Sequence, residues 1–537
     1  MLLAVLLLPL AVAAAPARRA PALLKVKPAV PPPPPGSKAP GTPAKGFKIA
    51  KIRFEGNTVM RLDELQAISK AYENRKVTLT ELKKLTGEIR GLYQGRGYIL
   101  ARAAIPPQKL KSGGDVRVVI SEGRYGDIQV DGNKYYTAKF LRHFFGQATR
   151  GKIVQESTLQ RSLLLLNELP DIQVRSLFVP GKLPGTSDVA LRVHDRPPIH
   201  LGFDYNNYGS PLVGRNRAGL ALWLGNLLWQ ADELTLRYTE PFPSQSDPLI
   251  QASYSAYVGN DGNKISYSFN TATTQVSGNN LDALGIVGSA DIHSLQWSRP
   301  ILRTLSKSMN VAAGFVFKSV QNFVLQNTLV SKDELRELTC SIDVNHVKGK
   351  TRTLASVLIT QGLGEAFGGK KNGDPKASRV GSGNEFTKLN GEYFNVSDIG
   401  NQQFLLLRFS GQVASDPLTV SEQFALGGPD SVRGYLQSDF LGDHGFTSSA
   451  EYRKGIFTSK DRKIGVQAAA FGDFGVATLE KPQVGELSSR TFAGVGAGLR
   501  SSLGRTTSLR LDLGFPLLDR NSLRSSQILY AQLVSRW

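Results

Sequence analysis

The stretch TSLRLDLGF, residues 507–515, places Leu509, Leu511, Leu513 and Phe515 on one side of an extended chain. Ser508, Arg510, Asp512 and Gly514 take the other side. Such a period of two describes a strand with one apolar and one charged face. The pattern recurs from about residue 197 onward. In DELTLRYTE, Leu234, Leu236 and Tyr238 alternate with Thr235, Arg237 and Thr239. In NKISYSFNT, Ile265, Tyr267 and Phe269 alternate with lysine, serine and asparagine. A water-soluble sandwich shows the same alternation. Three further observations point to a membrane barrel: about 340 residues pass without a convincing long helix, a secretory leader stands at the front, and the last segment, ILYAQLVSRW (528–537), ends on an aromatic residue. There Leu529, Ala531, Leu533 and Trp537 share one face. Backbone groups in lipid must all be paired, so such strands close on themselves. At about 21 residues per strand and connection, the region holds roughly 16 antiparallel strands around a polar lumen.

The chain has 537 residues and a net charge of +21. Its length suggests three or four units. The charge suits nucleic acid, anionic lipid or an acidic partner. No Lys/Arg-rich block carries interleaved aromatics, so nucleic acid is not expected. Cys340 is the single cysteine, and the six histidines are scattered. No cluster has metal-ligand spacing, and neither metal nor cofactor is expected. No Ser/His/Asp spacing or carboxylate pair stands out, so the chain does not read as an enzyme.

MLLAVLLLPLAVAAA (1–15) has the apolar core and small-residue end of a secretory signal. Residues 16–46 are Pro-rich and basic, with an unbroken proline run from 31 to 35, and read as an extended linker. The pattern then changes. In FKIAKIRFEGN, Phe47, Ile49, Lys51 and Arg53 alternate with Lys48, Ala50, Ile52 and Phe54 before a Gly-Asn turn. Leu82, Leu85, Ile89 and Leu92 have helical spacing, and Thr78 with Glu81 forms a capping box. DVRVVISEG closes the unit as a strand. YGDIQVDGN opens a second unit in the same order, two helices and two strands following. Residues 47–123 and 124–196 therefore read as one β-α-α-β-β unit used twice.

The stretch GGPDSVRGYLQSD (427–439) lies in a connection at about 415–446, far longer than a common hairpin loop. Downstream, in KIGVQAAAFGDFG, Asp473 shares a parity with Lys463 and Gln467, opposite Ile464, Val466, Ala468 and Ala470. With the apolar row in lipid, Asp473 faces the lumen. Spacing alone leaves Arg433 two readings: a solvated loop charge, or half of a bidentate pair with Asp473 that tethers the loop inside the pore.

Val432-Arg433-Gly434-Tyr435 resembles the loop motif of the outer-membrane protein-insertion and secretion superfamily. Phe471-x-Asp473-x-Gly475 resembles its partner strand motif. The two N-terminal units resemble POTRA domains: Gly56-Asn57-Thr58 and Tyr93-x-x-Arg96-Gly97-Tyr98 stand where that domain carries them, and LPDIQVRSLFVPGKLPGTSDVALRV is similar to the ShlB-type ending. Two such units before one barrel is the layout of two-partner secretion transporters of the haemolysin-activator type. The resemblance covers residues 47–537. It implies periplasmic POTRA domains, a 16-stranded barrel in the Gram-negative outer membrane among lipid and lipopolysaccharide, and an arginine loop that enters the lumen. It also implies export of one large unfolded exoprotein, a TpsA-type β-helical adhesin or haemolysin. Members of this family often carry a plug helix near the N-terminus. Pro-rich sequence stands in that place here, with only PALLKV (21–26) suited to a helical turn, so the loop is expected to close the pore.

Lys48, Lys51, Arg53, Lys83, Lys84 and Arg90 are the candidate substrate contacts of the first unit, suited to an acidic partner; each lysine also reads as an ordinary solvated face. Two other functions share parts of the pattern. A barrel-assembly insertase has the same fold and motifs, and a passive porin would need no POTRA units.

Overall fold

The computed structural model describes residues 46–108, 113–146, 149–244, 246–276, 282–325, 327–461, 463–518 and 526–537. The signal segment, the linker up to residue 45 and the PALLKV stretch lie outside the described residues. The chain divides into two compact units at Arg196/Pro197.

The N-terminal unit holds two repeats. The first runs β1 (Phe47–Glu55), α1 (Leu62–Ser69), β2 (Lys76–Val77), α2 (Leu79–Gly95), β3 (Arg102–Ala104), β4 (Gly114–Ser121). The second runs β5 (Arg124–Asp131), α3 (Ala138–Phe144), α4 (Glu156–Glu168), β6 (Ile172–Pro180), β7 (Thr186–Asp195). In each repeat the first and last strands pair in parallel, and the penultimate strand pairs antiparallel to the last. The capping box of α2 forms: Glu81 N–H donates to Thr78, and the Thr78 N–H donates to Glu81 at 2.8 Å. Leu82, Leu85, Ile89 and Tyr93 bury against Ile49, Val116 and Val118.

Strict alternation in β1 is corrected. Ile49 and Ile52 both face the core, because one extra residue bulges between their pairings with Gly114 and Val116. A bulge re-aims the side chains that follow it. Strand β5 carries the same bulge between Tyr125 and Ile128.

The repeat also shows in the turn after each first strand. Gly56 and Gly132 have φ of 88° and 87°, and a Cβ at either would meet a carbonyl of the neighbouring strand, at 2.3 and 2.4 Å. Glu122 accepts from the backbone N–H groups of Thr58 and Val59, at 2.5 and 2.9 Å, and from the Tyr93 hydroxyl at 3.1 Å. In the second repeat Asp195 accepts from Lys134, Tyr135 and Tyr136 N–H. The two repeats are joined by backbone bonds: Glu156 N–H donates to Gly97 O at 2.8 Å, and Val154 N–H to Gly123 O at 2.9 Å.

The second unit is a closed antiparallel barrel of sixteen strands. They are β8 (Ile199–Asn206), β9 (Asn216–Gly225), β10 (Glu233–Phe242), β11 (Leu249–Val258), β12 (Asn263–Gln275), β13 (Val287–Arg303), β14 (Lys307–Val324), β15 (Thr328–Lys348), β16 (Thr351–Gly362), β17 (Thr387–Gly400), β18 (Gln403–Ala414), β21 (His444–Thr458), β22 (Ile464–Thr478), β23 (Ser489–Leu503), β24 (Thr507–Pro516) and β25 (Ile528–Arg536). Two short strands, β19 (Phe424–Leu426) and β20 (Phe440–Gly442), pair only with each other inside the connection between β18 and β21. The barrel closes where β25 pairs with β8, and the last residue takes part: Trp537 N–H donates to Leu201 O at 2.8 Å.

Leu236, Tyr238, Ile265, Tyr267 and Leu529 point outward, exposed. Arg237, between the first two, points inward and bonds Asp204 at 2.7 Å. An outward apolar row over a polar lumen is the physics of a lipid-seated barrel. One end has short turns, such as Gly349–Lys350 and Asn401–Gln402; the other carries the long connections 363–386 and 415–443. Strand β21 begins at His444, earlier than the expected Phe446, because His444 and Gly445 pair with Thr478 and Ala477. Lys463 is not on the lumen wall: β22 starts at Ile464, and Lys463 sits in the turn beside Asp461.

Candidate functional site in the barrel lumen

The Val432–Tyr435 loop lies against inward-facing residues of β21 to β25. Arg433 is 3% exposed and Asp473 5%. Its Nε donates to Asp473 Oδ2 at 2.7 Å and its Nη2 to Oδ1 at 2.8 Å. The Arg433 backbone N–H adds a third bond to the same carboxylate at 3.1 Å. Nη1 donates to Glu451 Oε2 at 2.6 Å, and the Ser449 hydroxyl donates to Asp473 at 2.6 Å. The guanidinium lies over the Phe471 ring, 3.3 Å from its centroid. Planar fork, double hydrogen bond and aromatic face are the three things arginine offers that lysine does not.

The wall completes an ionic network. Arg500 reaches Glu451 at 2.9 Å and Asp512 at 2.7 Å; Arg453 reaches Glu451 and Arg510 reaches Asp512, both at 2.6–2.7 Å. Three wall arginines, Arg453, Arg500 and Arg510, pair with the wall carboxylates Glu451 and Asp512, while Asp473 takes Arg433 of the loop. The loop adds Arg433 and also Asp430, which lies 3.5 Å from Arg510. Arg433 and Asp430 enter together, and each takes a partner of opposite charge on the wall.

The fit around the loop backbone is close. Gly434 has φ 103°, and a Cβ there would meet Pro516 N at 2.7 Å. Wall glycines make room: a Cβ on Gly494 would meet Arg433 O at 2.0 Å, and one on Gly514 would meet Gly434 N at 2.6 Å. Gly475 opposes Leu426 and Val432, which are fully buried. The Gly434 N–H donates to the Tyr530 hydroxyl at 3.0 Å, which donates to Tyr435 O at 2.6 Å. The Tyr435 ring stacks on Phe492, centroids 4.0 Å apart, and its hydroxyl contacts Ala493 O and Leu518.

Two more anchors hold the same connection. Glu422 is buried between Lys318 of β14 and Lys388 of β17, with Lys388 Nζ at 2.5 Å. Asp443 takes Arg379 Nη1 at 2.6 Å and the Glu480 N–H at 2.7 Å, tying the connection 363–386 to the base of 415–443. The loop thus touches the β14–β17 wall at one point and the β21–β25 wall at another.

The residues quoted from the two motifs come together here: Val432, Arg433, Gly434 and Tyr435 on the loop, Phe471, Asp473 and Gly475 on the wall. The candidate basic contacts of the first repeat do not. Lys48, Lys51 and Arg53 lie exposed on β1, while Lys83, Lys84 and Arg90 lie on the outer side of α2; Arg53 pairs with Asp115 at 2.7 Å. They are split between a strand and a helix face and form no single patch. Sequence reasoning missed Glu451, Arg500, Asp512, Tyr530 and the loop anchors Glu422 and Asp443. Arg510 and Asp512 already stood on the polar row of the quoted strand, so inward parity was a usable signal. Nothing local marks Glu422 or Asp443, whose partners are set by barrel closure. Among the described residues, no cluster of side chains could hold a metal ion, and no helix is long and apolar enough to cross a membrane.

Comparisons with known proteins agree with this geometry. Residues 47–123 match the POTRA domain, ShlB-type. The outer membrane transporter CdiB of Dickeya dadantii is 26% identical over 74% of this chain and 71% of its own length. The heme/hemopexin transporter protein HuxB of Haemophilus influenzae is 22% identical over 88% and 84%. The solved structure of CdiB from Escherichia coli superimposes with a TM-score of 0.77 at 21% identity, covering 94% of this chain and 92% of that one. The two sequence relatives are transporters, which favours translocation over barrel insertion. Residues 185–501 match the haemolysin secretion/activation protein family ShlB/FhaC/HecB, and the chain belongs to that family of two-partner secretion transporters of the outer membrane.

Proposed function

We propose that the Val432–Tyr435 loop is the gate of the export path and that an unfolded exoprotein reaches it from the two N-terminal repeats. The observation that carries this reading is the threefold grip of Arg433 on Asp473 inside the lumen. A loop so held obstructs the path and must withdraw for the exoprotein to pass. The cargo is one large secreted protein of the TpsA type, a β-helical adhesin or haemolysin. Its folding outside the cell supplies direction, since a folded product does not slip back.

Reception is supported by the second repeat. Strand β5 is an edge strand, paired on one side with β7; among the described residues its other side is met at Arg124 by Ile153 and at Tyr125 by Gly151 and Lys152, which leaves the strand open beyond Tyr125. A groove of about 620 Å³ runs beside it, lined by Asp127, Ile128, Val130, Arg142, Arg150 and Lys182. An extended segment adds to such an edge by main-chain bonds, and the cations favour acidic cargo. Lys48, Lys51, Arg53, Lys83, Lys84 and Arg90 are left as secondary, screened contacts. The outward apolar row sits in outer-membrane lipid, with lipopolysaccharide as the outer-leaflet neighbour.

The test is export by Arg433→Ala and Asp473→Ala, read as exoprotein in the medium, with heat-modifiable migration confirming the barrel. Secretion falling roughly tenfold or more, with the barrel assembled, is expected. Full secretion by both variants removes the loop from the mechanism.

A further inference from the structure

Strand β15 pairs with β16 only from Glu337 onward, so its upper part, residues 328–336, has an edge that β16 does not cover. The connection 363–386 covers it instead. Lys332 N–H donates to Lys376 O at 2.6 Å, Lys370 N–H to Glu334 O at 3.1 Å, and Leu363 N–H to Arg336 O at 3.0 Å. These bonds fix Lys370 and Lys376 alongside the strand at the end carrying the long loops. On the outward face, Leu338 and Ile342 belong to the lipid-facing row; immediately above them come Arg336, Glu334 and Lys332. The transition is built. The Arg336 guanidinium stacks on the outward Phe317 ring at 5.1 Å, and its donors are taken by Glu334 at 2.9 Å and by the carbonyls of Phe367, Lys318 and Leu335. Arg336 is thus a scaffold that sets Glu334, and Glu334 in turn holds Lys332 at 2.8 Å.

Around this scaffold stand Lys332, Arg336, Lys370, Lys371 and Lys376, against Glu334, Glu365, Asp374 and Glu385, an excess of one positive charge. Lys332 and Arg336 face outward just above the apolar row, where a Phe ring marks the edge of the hydrocarbon, and the exposed Lys370, Lys371 and Lys376 lie beside them on the adjoining connection. An exposed cation cluster at that depth meets lipid headgroups rather than bulk water, and it gains from anionic ones. Barrels of the outer membrane keep their short turns on the periplasmic side and their long connections outside, so this end faces the cell exterior. The anionic headgroup of that leaflet is the phosphorylated disaccharide of lipopolysaccharide. We propose that the rim formed by Lys332, Lys370 and Lys376 is a binding site for the phosphates of lipid A. The proposal rests on the outer-membrane reading above and adds a site to it.

The test uses the full chain in phosphatidylcholine nanodiscs, titrated with lipid A and with the same lipid lacking both phosphates, read by native mass spectrometry. Phosphorylated lipid A should bind, and the Lys332→Gln/Lys370→Gln/Lys376→Gln variant should bind it about tenfold more weakly or worse. The phosphate-free lipid should bind both proteins at that weaker level. Lys348→Gln, at the opposite end of the same strand, should leave binding unchanged. Equal affinity of wild type and triple variant, or of the two lipids for wild type, overturns the site. Heat-modifiable migration of the triple variant reports the barrel separately, so loss of the rim site is distinguishable from failure of the membrane reading.

Discussion

Arg433 and Asp473 are both nearly inaccessible; without Arg433 the Asp473 carboxylate keeps the Ser449 hydroxyl but loses its cation, while Arg433 without Asp473 keeps Glu451. Removing one partner of such a pair costs about 3–5 kcal/mol when it is fully desolvated, and less where lumen water relieves it. The geometry makes a sharper prediction. Arg433→Lys keeps the charge but loses the fork and the flat contact with Phe471, so export should fall most of the way towards the alanine level; wild-type secretion by the lysine variant would show that charge alone suffices. Gly514→Ala tests the steric side. Its Cβ has no room beside Gly434 N, at 2.6 Å, so the loop should be displaced and single-channel conductance in planar bilayers should rise. Unchanged conductance would mean the contact is relieved without moving the loop.

Glu122, in the periplasmic part, gives a pH prediction of definite sign. Burial pushes its carboxyl up, but bonds from the Thr58 hydroxyl, the Val59 and Thr58 N–H groups and the Tyr93 hydroxyl more than offset this and leave it below the usual carboxylate range. Asp195 in the second repeat is lowered in the same way by three backbone N–H groups. A carboxylate lowered in the folded state stabilises fully above its unfolded value, near 4, and that stabilisation is lost as pH falls through the lower folded value. Glu122→Gln should therefore lose roughly 1–3 kcal/mol of protection in hydrogen exchange of the β1–β4 amides at pH 7. The difference from wild type should shrink towards pH 3. A difference independent of pH would assign the effect to shape rather than charge.

At the scale of elements, the most exposed consequence is the staple between the two long connections. Arg379 reaches from 363–386 into Asp443, which also accepts from Leu418 and Glu480 N–H. Arg379→Ala strands that carboxylate and frees both connections together. Outer membranes bearing it should admit a large antibiotic such as vancomycin more readily, while Arg379→Ala/Asp443→Asn should recover part of the wild-type barrier; equal permeability of all three proteins would refute the staple. The elements themselves were legible in uneven ways. Helix α2 announced its start through Thr78 and Glu81 and its buried face through Leu82, Leu85 and Ile89, because capping and helical period are local. The β1 bulge was not legible, because the extra residue is defined only against the pairing of β4. The hairpin of β19 and β20 was missed for a related reason: strands of three residues carry too short a period to read.

For the whole molecule, the two units make separable predictions. Deleting residues 47–196 should leave a barrel that still conducts ions and still migrates in its heat-modifiable form, yet exports no exoprotein. Export by that truncated barrel would show that the repeats are dispensable. Alternation, end residue and length were enough to give a closed barrel of sixteen strands, since a lipid-embedded sheet allows no open edge and each strand needs one apolar row. They also gave the two repeated units, whose Gly-Asn turns and helix spacing recur within short windows. What the chain's order could not state is which inward charges meet. Glu422 lies beside Lys318, and Arg500 bridges Glu451 and Asp512, only because the cylinder closes with a particular stagger and the loop folds back into it. Local patterning is written in neighbours along the chain, while ion pairs across a lumen depend on register accumulated around sixteen strands.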